Sequence, residues 1–397
     1  MLTVEEYRER VLAGISPLPA APVALLDALG LVLAEDIATP RPMPGFDNSS
    51  MDGYAVHAAD FGAEGPVTLR VVDDLPAGAT TRPEVPRGCA ARIMTGAPMP
   101  LGADCVVPVE LTDGGTHTVV ITATPSAGDC IRRAGEDLEA GSPAVARGSV
   151  LSSRNLGLIA SCDLDVVRAI ARPRVTVIST GSELVRPGGA VGFGQVVDSN
   201  NTVLAAAVLE AGADVRQIGP VVDDAAAFTA ALEEAAATSD LVLTSGGVSM
   251  GAYDTVKEVL TSRGGVEFMK VAMQPGMPQG HGSIDGVPII TLPGNPVSSF
   301  VSFEVFVRPA IRRLMGLPDA LRAPRIAQLT RGMTSPPRKV QFARGILEGA
   351  DSLQVAPVGE QGSHFMGGLA LSNCLIVIPV GVGEVAAGEQ VEVLDLR

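Results

Sequence analysis

At 397 residues, 46% of them hydrophobic, the chain exceeds what one hydrophobic core serves and is too apolar for disorder, so two to four domains are expected. Its 44 acidic against 29 basic residues give a formal net charge of −15, which repels nucleic acid and anionic membranes at long range, so neither is expected as a partner. No apolar run approaches a membrane span, and the start "MLTVEEYRERVL" is acidic where a signal peptide is basic and then apolar, so a cytoplasmic protein is expected.

In chain order, "TVEE" places Thr3 and Glu6 at capping-box spacing before an apolar-periodic run, which predicts a helix, and the Pro-rich "TPRPMPGF" predicts an extended linker after it. Next comes "FDNSSMDGYAV", Phe46 to Val56, whose Asp, Asn, Ser and Gly read as neither helix nor strand. Short alternating runs such as "VTLRVV" and "THTVVITA" between Gly, Pro and Asp turns predict a small β-rich domain. "GSVLSSRNLGLIASCDL" predicts a helix that returns beside the first. Five cysteines, Cys89, Cys105, Cys130, Cys162 and Cys374, show no CxxC pairing and are expected as small core residues rather than disulfides or zinc ligands.

From Pro173 apolar strands such as "RVTVIST", "DLVLTSGG" and "VPIITLPG" alternate with Ala-rich helical segments. That rhythm predicts βαβ crossovers and a parallel sheet covered on both faces. Past about residue 318, period-two alternation resumes in "KVQFARGIL", "CLIVIPV" and "EQVEVLDL", as a small β-barrel requires. The fold class expected is therefore multidomain α/β plus β. Residues 1–45 with 146–172 form a helical linker domain, 46–145 a β-rich domain, 173–317 a parallel three-layer α/β domain, and 318–397 the barrel.

Ligands of open α/β sheets bind beyond the carboxyl ends of the strands, and three turns there are chemically loaded. "STGSEL" offers Ser179, Thr180 and Gly181 with Glu183. "TSGGVSMGAYD" offers Ser245, Gly246, Gly247 and Ser249, then Asp254. "LPGNPVSSF" offers Pro293, Gly294 and Asn295, with Pro296 at the first helical position and Ser298 after it. Unpaired N–H groups at helix starts, with hydroxyls beside them, cradle phosphate. Each turn alone is also what an ordinary strand-to-helix connection looks like, and three on one sheet point further. "GVSMG" also matches a hydrolase nucleophile elbow with Ser249 as nucleophile. Only His281 and His364 lie downstream to complete a triad, and Gly246-Gly247 suits an anion loop better. Glu183, Asp254 and Asp223 of "VVDD" sit at strand ends, where Mg²⁺ would take one or two carboxylates plus substrate phosphates; helix capping is the other reading, an even match for Asp223.

Taken together, "FDNSSMDGYAV", "RIMTGAPMPLGADCVVPVE", "AGEDLEAG", "LGLIAS", "STGSEL", "TSGGVSMGAYD" and "LPGNPVSSF" resemble the molybdopterin molybdenumtransferases, the bacterial MoeA proteins and the E domain of gephyrin, in order over nearly the whole chain. The resemblance implies a MogA-like α/β domain and an elongated homodimer. It implies Mg²⁺-dependent cleavage of adenylylated molybdopterin, release of AMP, and transfer of molybdenum from molybdate to the dithiolene. It further implies that the "MDGYA" loop of one subunit closes the pterin-phosphate site of the other, and that the molybdopterin adenylyltransferase and molybdoenzymes are expected partners. Catalytic roles carried over fall on Asp52, Thr95 and Asp137, with Lys270, one of only three lysines, contacting the anionic substrate. Magnesium is expected on Glu183 and Asp254.

The chain departs from the family at Gln274-Pro275-Gly276-Met277-Pro278, where many members have "KPGKP". Each missing cation-to-oxyanion contact forgoes about 1.5–3 kcal/mol. Arg338 and Arg344 are the expected compensation, and a pterin-binding scaffold without turnover stays open beside the enzyme.

Overall fold

A computed structural model of the chain describes residues 1–62, 65–247, 255–350 and 352–397. Ser249 and Asp254 lie outside the described residues. The chain divides into two compact units, Glu35–Val166 and Met1–Ala34 with Val167–Arg397.

The expected capping box forms at the chain start. Glu6 N–H donates to Thr3 Oγ1 at 3.1 Å and Thr3 N–H to Glu6 Oε2 at 2.8 Å, which starts helix α1 (Val4–Ala13). Val4, Tyr7 and Val11 recur at helical spacing and form its buried stripe. α1 belongs to the larger unit, whereas α2 (Ser153–Ser161) lies in the smaller one and packs on the strand Pro143–Val145.

In the smaller unit, β1 (Gly53–Val56), β2 (Val67–Leu75), β3 (Cys89–Ile93), β4 (Cys105–Pro108) and β5 (Thr118–Ile121) form one sheet in the order β4-β1-β3-β2-β5. The second half of "FDNSSMDGYAV" is thus an interior strand. Tyr54 and Val56 pack with Leu69 and Val119 on one face, and Ala55 packs with Leu75 and Ile93 on the other. Gly53 is required by close approach: a Cβ there would stand 1.9 Å from the Val107 carbonyl oxygen on β4. Asp52 is therefore presented at the head of a strand with its neighbour's backbone pressed close.

In the larger unit, β6 (Arg174–Thr180), β7 (Asp214–Val221), β8 (Leu241–Ser245), β9 (Val266–Lys270), β10 (Pro278–Ile284) and β11 (Val287–Leu292) form a sheet in the order β7-β6-β8-β11-β10-β9. The first four in that order are parallel, and β10 and β9 add an antiparallel edge. The reversal is made by Asp285-Gly286, both with positive φ (51° and 84°), a two-residue hairpin turn. Both faces are covered. Val175, Val177 and Leu243 pack with α1, α3 (Ser199–Glu210), α6 (Pro296–Ser302) and α7 (Arg308–Leu314). Ile178, Val242 and Ile289 pack with α4 (Ala225–Thr238) and α5 (Thr255–Arg263). Continuous apolar runs follow from burial on two faces. Residues 303–307 between α6 and α7 are π-helical, ahead of Pro309, which has no N–H for a regular helical bond.

The C-terminal strands β12 (Pro324–Leu329), β13 (Val340–Glu348), β14 (Gln354–Pro357), β15 (Cys374–Ile378) and β16 (Gln390–Asp395) run in the order β13-β14-β12-β16-β15, and β15 pairs back with β13. Closure into a five-strand barrel removes the free edges. The strand Met273–Gln274 from the departing segment adds in parallel onto β13, and α8 (Met366–Leu371) follows the loop that returns to the α/β layer. The described cysteines are all free. Four are buried and Cys130 is half-buried. No helix among the described residues is long and apolar enough to cross a membrane.

Candidate active site

The carboxyl ends of β6, β8 and β11 open onto one cavity of about 640 Å³. The turn after β6 brings Thr180, Gly181 and Glu183 to it. Gly181 sits at φ +150°, and a Cβ there would lie 2.7 Å from Glu183 Oε2 and 2.9 Å from Oε1. The Glu183 carboxylate is folded back over the turn into space that only glycine leaves open. Asp223 reaches the same wall because the β6–β7 ladder slips: Ile178 pairs with Ile218, but Thr180 with Val221. Ser182 N–H then donates to Asp223 Oδ2 at 2.9 Å, and Asp223 N–H donates to Ser182 Oγ at 3.0 Å. The exposed Glu183 and Asp223 carboxylates thus share one cavity, each with access to water.

Ser245, Gly246 and Gly247 line the cavity from the end of β8, and Gly294, Asn295 and Pro296 from the turn that starts α6. Gly246 N–H donates to the Leu292 carbonyl at 3.1 Å, tying the two turns together. Asn295 Nδ2 donates to Ser363 Oγ at 3.1 Å, and Val297 N–H to the Ser363 carbonyl at 3.1 Å, so the loop before α8 braces the α6 turn.

Residues missed from the sequence complete the wall. Asp198, Ser199 and Asn200 of "VVDSNN" line the cavity at the start of α3. Asp198 accepts from Asn201 N–H as the helix cap and from the Ser179 hydroxyl, while Asn201 Nδ2 donates to Ser179 Oγ and to the Ile218 carbonyl. The available signal was an Asp-Ser-Asn run between an apolar segment and a helix, as at the other turns.

Not every expected residue reaches this cavity. Ser179 is buried behind it with its hydroxyl held in the Asp198–Asn201 network, and Ser298 is buried on the inner side of α6; neither lines the cavity. Pro293 and Lys270 instead line an adjoining cavity of about 380 Å³ that shares Gly294 and Asn295 with the first. That second cavity holds Met277 and also Lys257, a cation sequence reading overlooked. Arg344 does not compensate for the missing lysines. It is fully buried, donating from Nη1 to the Phe365 carbonyl at 2.7 Å and from Nη2 to the Glu360 carbonyl. Arg338 is exposed on the turn before β13. Among the described residues no histidine lines the first cavity. His281 packs edge-on against Tyr7 and His364 lies tilted against Phe365, so the described wall offers no imidazole to a serine nucleophile.

Asp52 and Thr95 meet within the smaller unit. Asp52 Oδ1 accepts from Thr95 N–H at 2.7 Å and from Thr95 Oγ1 at 2.8 Å. The backbone bond first, then the hydroxyl bond, hold the carboxyl below the usual carboxylate range. Asp137 is exposed in the same unit, on a turn where its N–H donates to the Met43 carbonyl.

Among the described residues no three His, Cys, Asp or Glu side chains converge to hold a metal on their own. Glu183 and Asp223 are nonetheless hard oxygen donors on one cavity wall, a set that fits Mg²⁺ bound by one or two carboxylates with phosphate and water completing the shell.

Comparison with known proteins agrees along the whole chain. Residues 2–162 match a model of the MoeA N-terminal region (domain I and II), residues 176–313 a probable molybdopterin binding domain, and residues 327–396 the MoeA C-terminal region (domain IV). The chain is 48% identical over 405 residues to molybdopterin molybdenumtransferase 2 of Mycobacterium tuberculosis, with 100% of both chains covered. It is 36% identical to the molybdopterin molybdenumtransferase of Haemophilus influenzae, covering 99% of this chain and 98% of that one. Its fold is similar to a crystal structure of a molybdopterin biosynthesis MoeA protein from Pyrococcus horikoshii, with a TM-score of 0.84 and 31% identity over 100% of this chain and 99% of that one.

Proposed function

The chain belongs to the molybdopterin molybdenumtransferase family, and on that footing we propose that its 640 Å³ cavity binds adenylylated molybdopterin for insertion of molybdenum from molybdate with release of AMP. The observation that carries the reading is the meeting of Glu183 and Asp223 with three N–H-rich turns at the ends of parallel strands. The bare amides of Gly247 and Gly294 suit phosphate oxygens, and Glu183 and Asp223 would hold Mg²⁺ beside them. Bound there, the ion neutralises charge developing on the cleaved phosphoanhydride. Ser182 fixes the Asp223 carboxylate and Gly181 leaves room for that of Glu183, so both oxygen donors are placed before substrate arrives. Lys270 and Lys257, on the adjoining cavity, supply positive charge for a molybdate or phosphate oxyanion on a chain of net charge −15. We place the reaction in a cytoplasmic homodimer in which the Asp52–Thr95 turn of one subunit closes the cavity of the other.

AMP release tests this. The purified chain should release AMP from adenylylated molybdopterin only with Mg²⁺ and molybdate both present, and Glu183→Gln and Asp223→Asn should each lower turnover at least about tenfold and raise the Mg²⁺ requirement. Saturable binding without any AMP release would overturn the enzyme reading. It would identify a pterin-binding paralogue, which neutral Gln274 and Met277 and the buried Arg344 favour.

A further inference from the structure

We propose that Asn200 is a positioning residue that sets the spacing of two anion-binding turns and turns the Ser245 hydroxyl into a donor aimed at the bound oxyanion. Asn200 is the second residue of α3, the helix that follows β6, yet its side chain reaches the ends of the next two strands. Its Nδ2 donates to Ser245 Oγ at the end of β8 at 2.8 Å, and to the Gly294 carbonyl after β11 at 2.6 Å. A carbonyl can only accept, so the Gly294 contact fixes which end of the carboxamide faces the turns. Both amide protons are thereby engaged, one on each turn.

The consequence for Ser245 follows from hydroxyl chemistry. With Asn200 donating to its oxygen, Ser245 has its own proton left to give, and among the described residues nothing accepts it. Ser245 is buried and lines the cavity between Gly246 and the Asn200 side chain. Its O–H is thus directed to whatever oxyanion the turns hold. The inference rests on the reading of this cavity as the phosphate site.

An Asp at position 200 would invert this polarity. The carboxylate would accept the Ser245 proton, repel the Gly294 carbonyl and add negative charge beside the anion. An Ala would release the Ser245 hydroxyl and the Gly294 carbonyl without adding charge. Losing one hydrogen bond to a charged group weakens binding about tenfold to a hundredfold. Binding and turnover of adenylylated molybdopterin are compared in the full-length chain and in Asn200→Ala, Asn200→Asp, Ser245→Ala and Asn200→Ala with Ser245→Ala. If the unaltered chain shows no saturable binding, the phosphate-site reading itself fails. If it binds, Asn200→Ala should raise KM about tenfold with kcat within about threefold, and Asn200→Asp should raise KM about tenfold further. The double variant should bind no worse than Asn200→Ala, because the Ser245 proton is directed at the anion only while Asn200 holds the hydroxyl oxygen. Equal KM for the Ala and Asp variants, or additive losses in the double variant, would overturn the proposal. So would a fall in thermal stability with KM unmoved. Should the Asp variant fail to fold, the Ala and Ser245 arms still decide it by their additivity.

Discussion

Gly181→Ala tests whether the position of the Glu183 carboxylate, rather than its mere presence, matters. A Cβ at 181 would stand 2.7 Å from Glu183 Oε2, and restoring the 3.4 Å of an ordinary contact moves the carboxylate by about 0.7 Å. The backbone at φ +150° adds strain of about 1–3 kcal/mol for a residue with a side chain. Glu183 ends in a flexible carboxylate, so the side chain yields before the strand does and the fold survives with a lowered thermal midpoint. A displacement of about 1 Å in a catalytic group can cost about a hundredfold, so the expected loss in kcat is about tenfold to a hundredfold. The assay is AMP release at saturating Mg²⁺ and substrate, run beside Glu183→Ala and the double variant. If the substitution acts through Glu183, the double variant is no slower than Glu183→Ala alone. An unchanged kcat in Gly181→Ala, or multiplicative losses in the double variant, would refute the reasoning.

Two further outcomes follow from buried and paired polar groups. The Tyr7 hydroxyl is fully buried with no partner among the described residues, its ring edge-on to those of His281 at 5.1 Å and Phe306 at 4.8 Å. An unsatisfied buried hydroxyl costs about 1–3 kcal/mol, so Tyr7→Phe should raise the denaturant midpoint at unchanged m-value, and a lowered midpoint would show that the hydroxyl has a partner. Thr95→Val removes the hydroxyl half of the pair holding Asp52 below its usual range, so Asp52 should titrate at higher pH in the variant. A depressed carboxylate stabilises the fold above the value of an unfolded aspartate, about 3.9, and that contribution fades as pH falls through the lowered value. The stability advantage of the unaltered chain over Thr95→Val should therefore vanish in strong acid. An Asp52 carboxyl NMR titration unmoved by the substitution would contradict this.

Sequence by itself determined what depends on local dihedrals and periodicity. The Thr3–Glu6 capping box, the two-faced apolar strands of the α/β layer, Pro296 at the first turn of α6 and the alternating barrel strands were all legible, because each is a relation between residues a few positions apart. The Asp285-Gly286 hairpin was equally local, and an alternation read as wholly parallel passed over it. Only the tertiary structure decided which polar residues share a wall. Asp223 joins Glu183 through a slipped ladder between β6 and β7, and Asn200 spans the ends of β8 and β11 because the strand order departs from chain order. Ser179 was withdrawn behind the wall and Arg344 into the barrel side by partners far off in sequence, Asp198 and the carbonyls of Glu360 and Phe365. A side chain's type fixes what it can bind, but long-range packing fixes what it meets, and no local pattern encodes that.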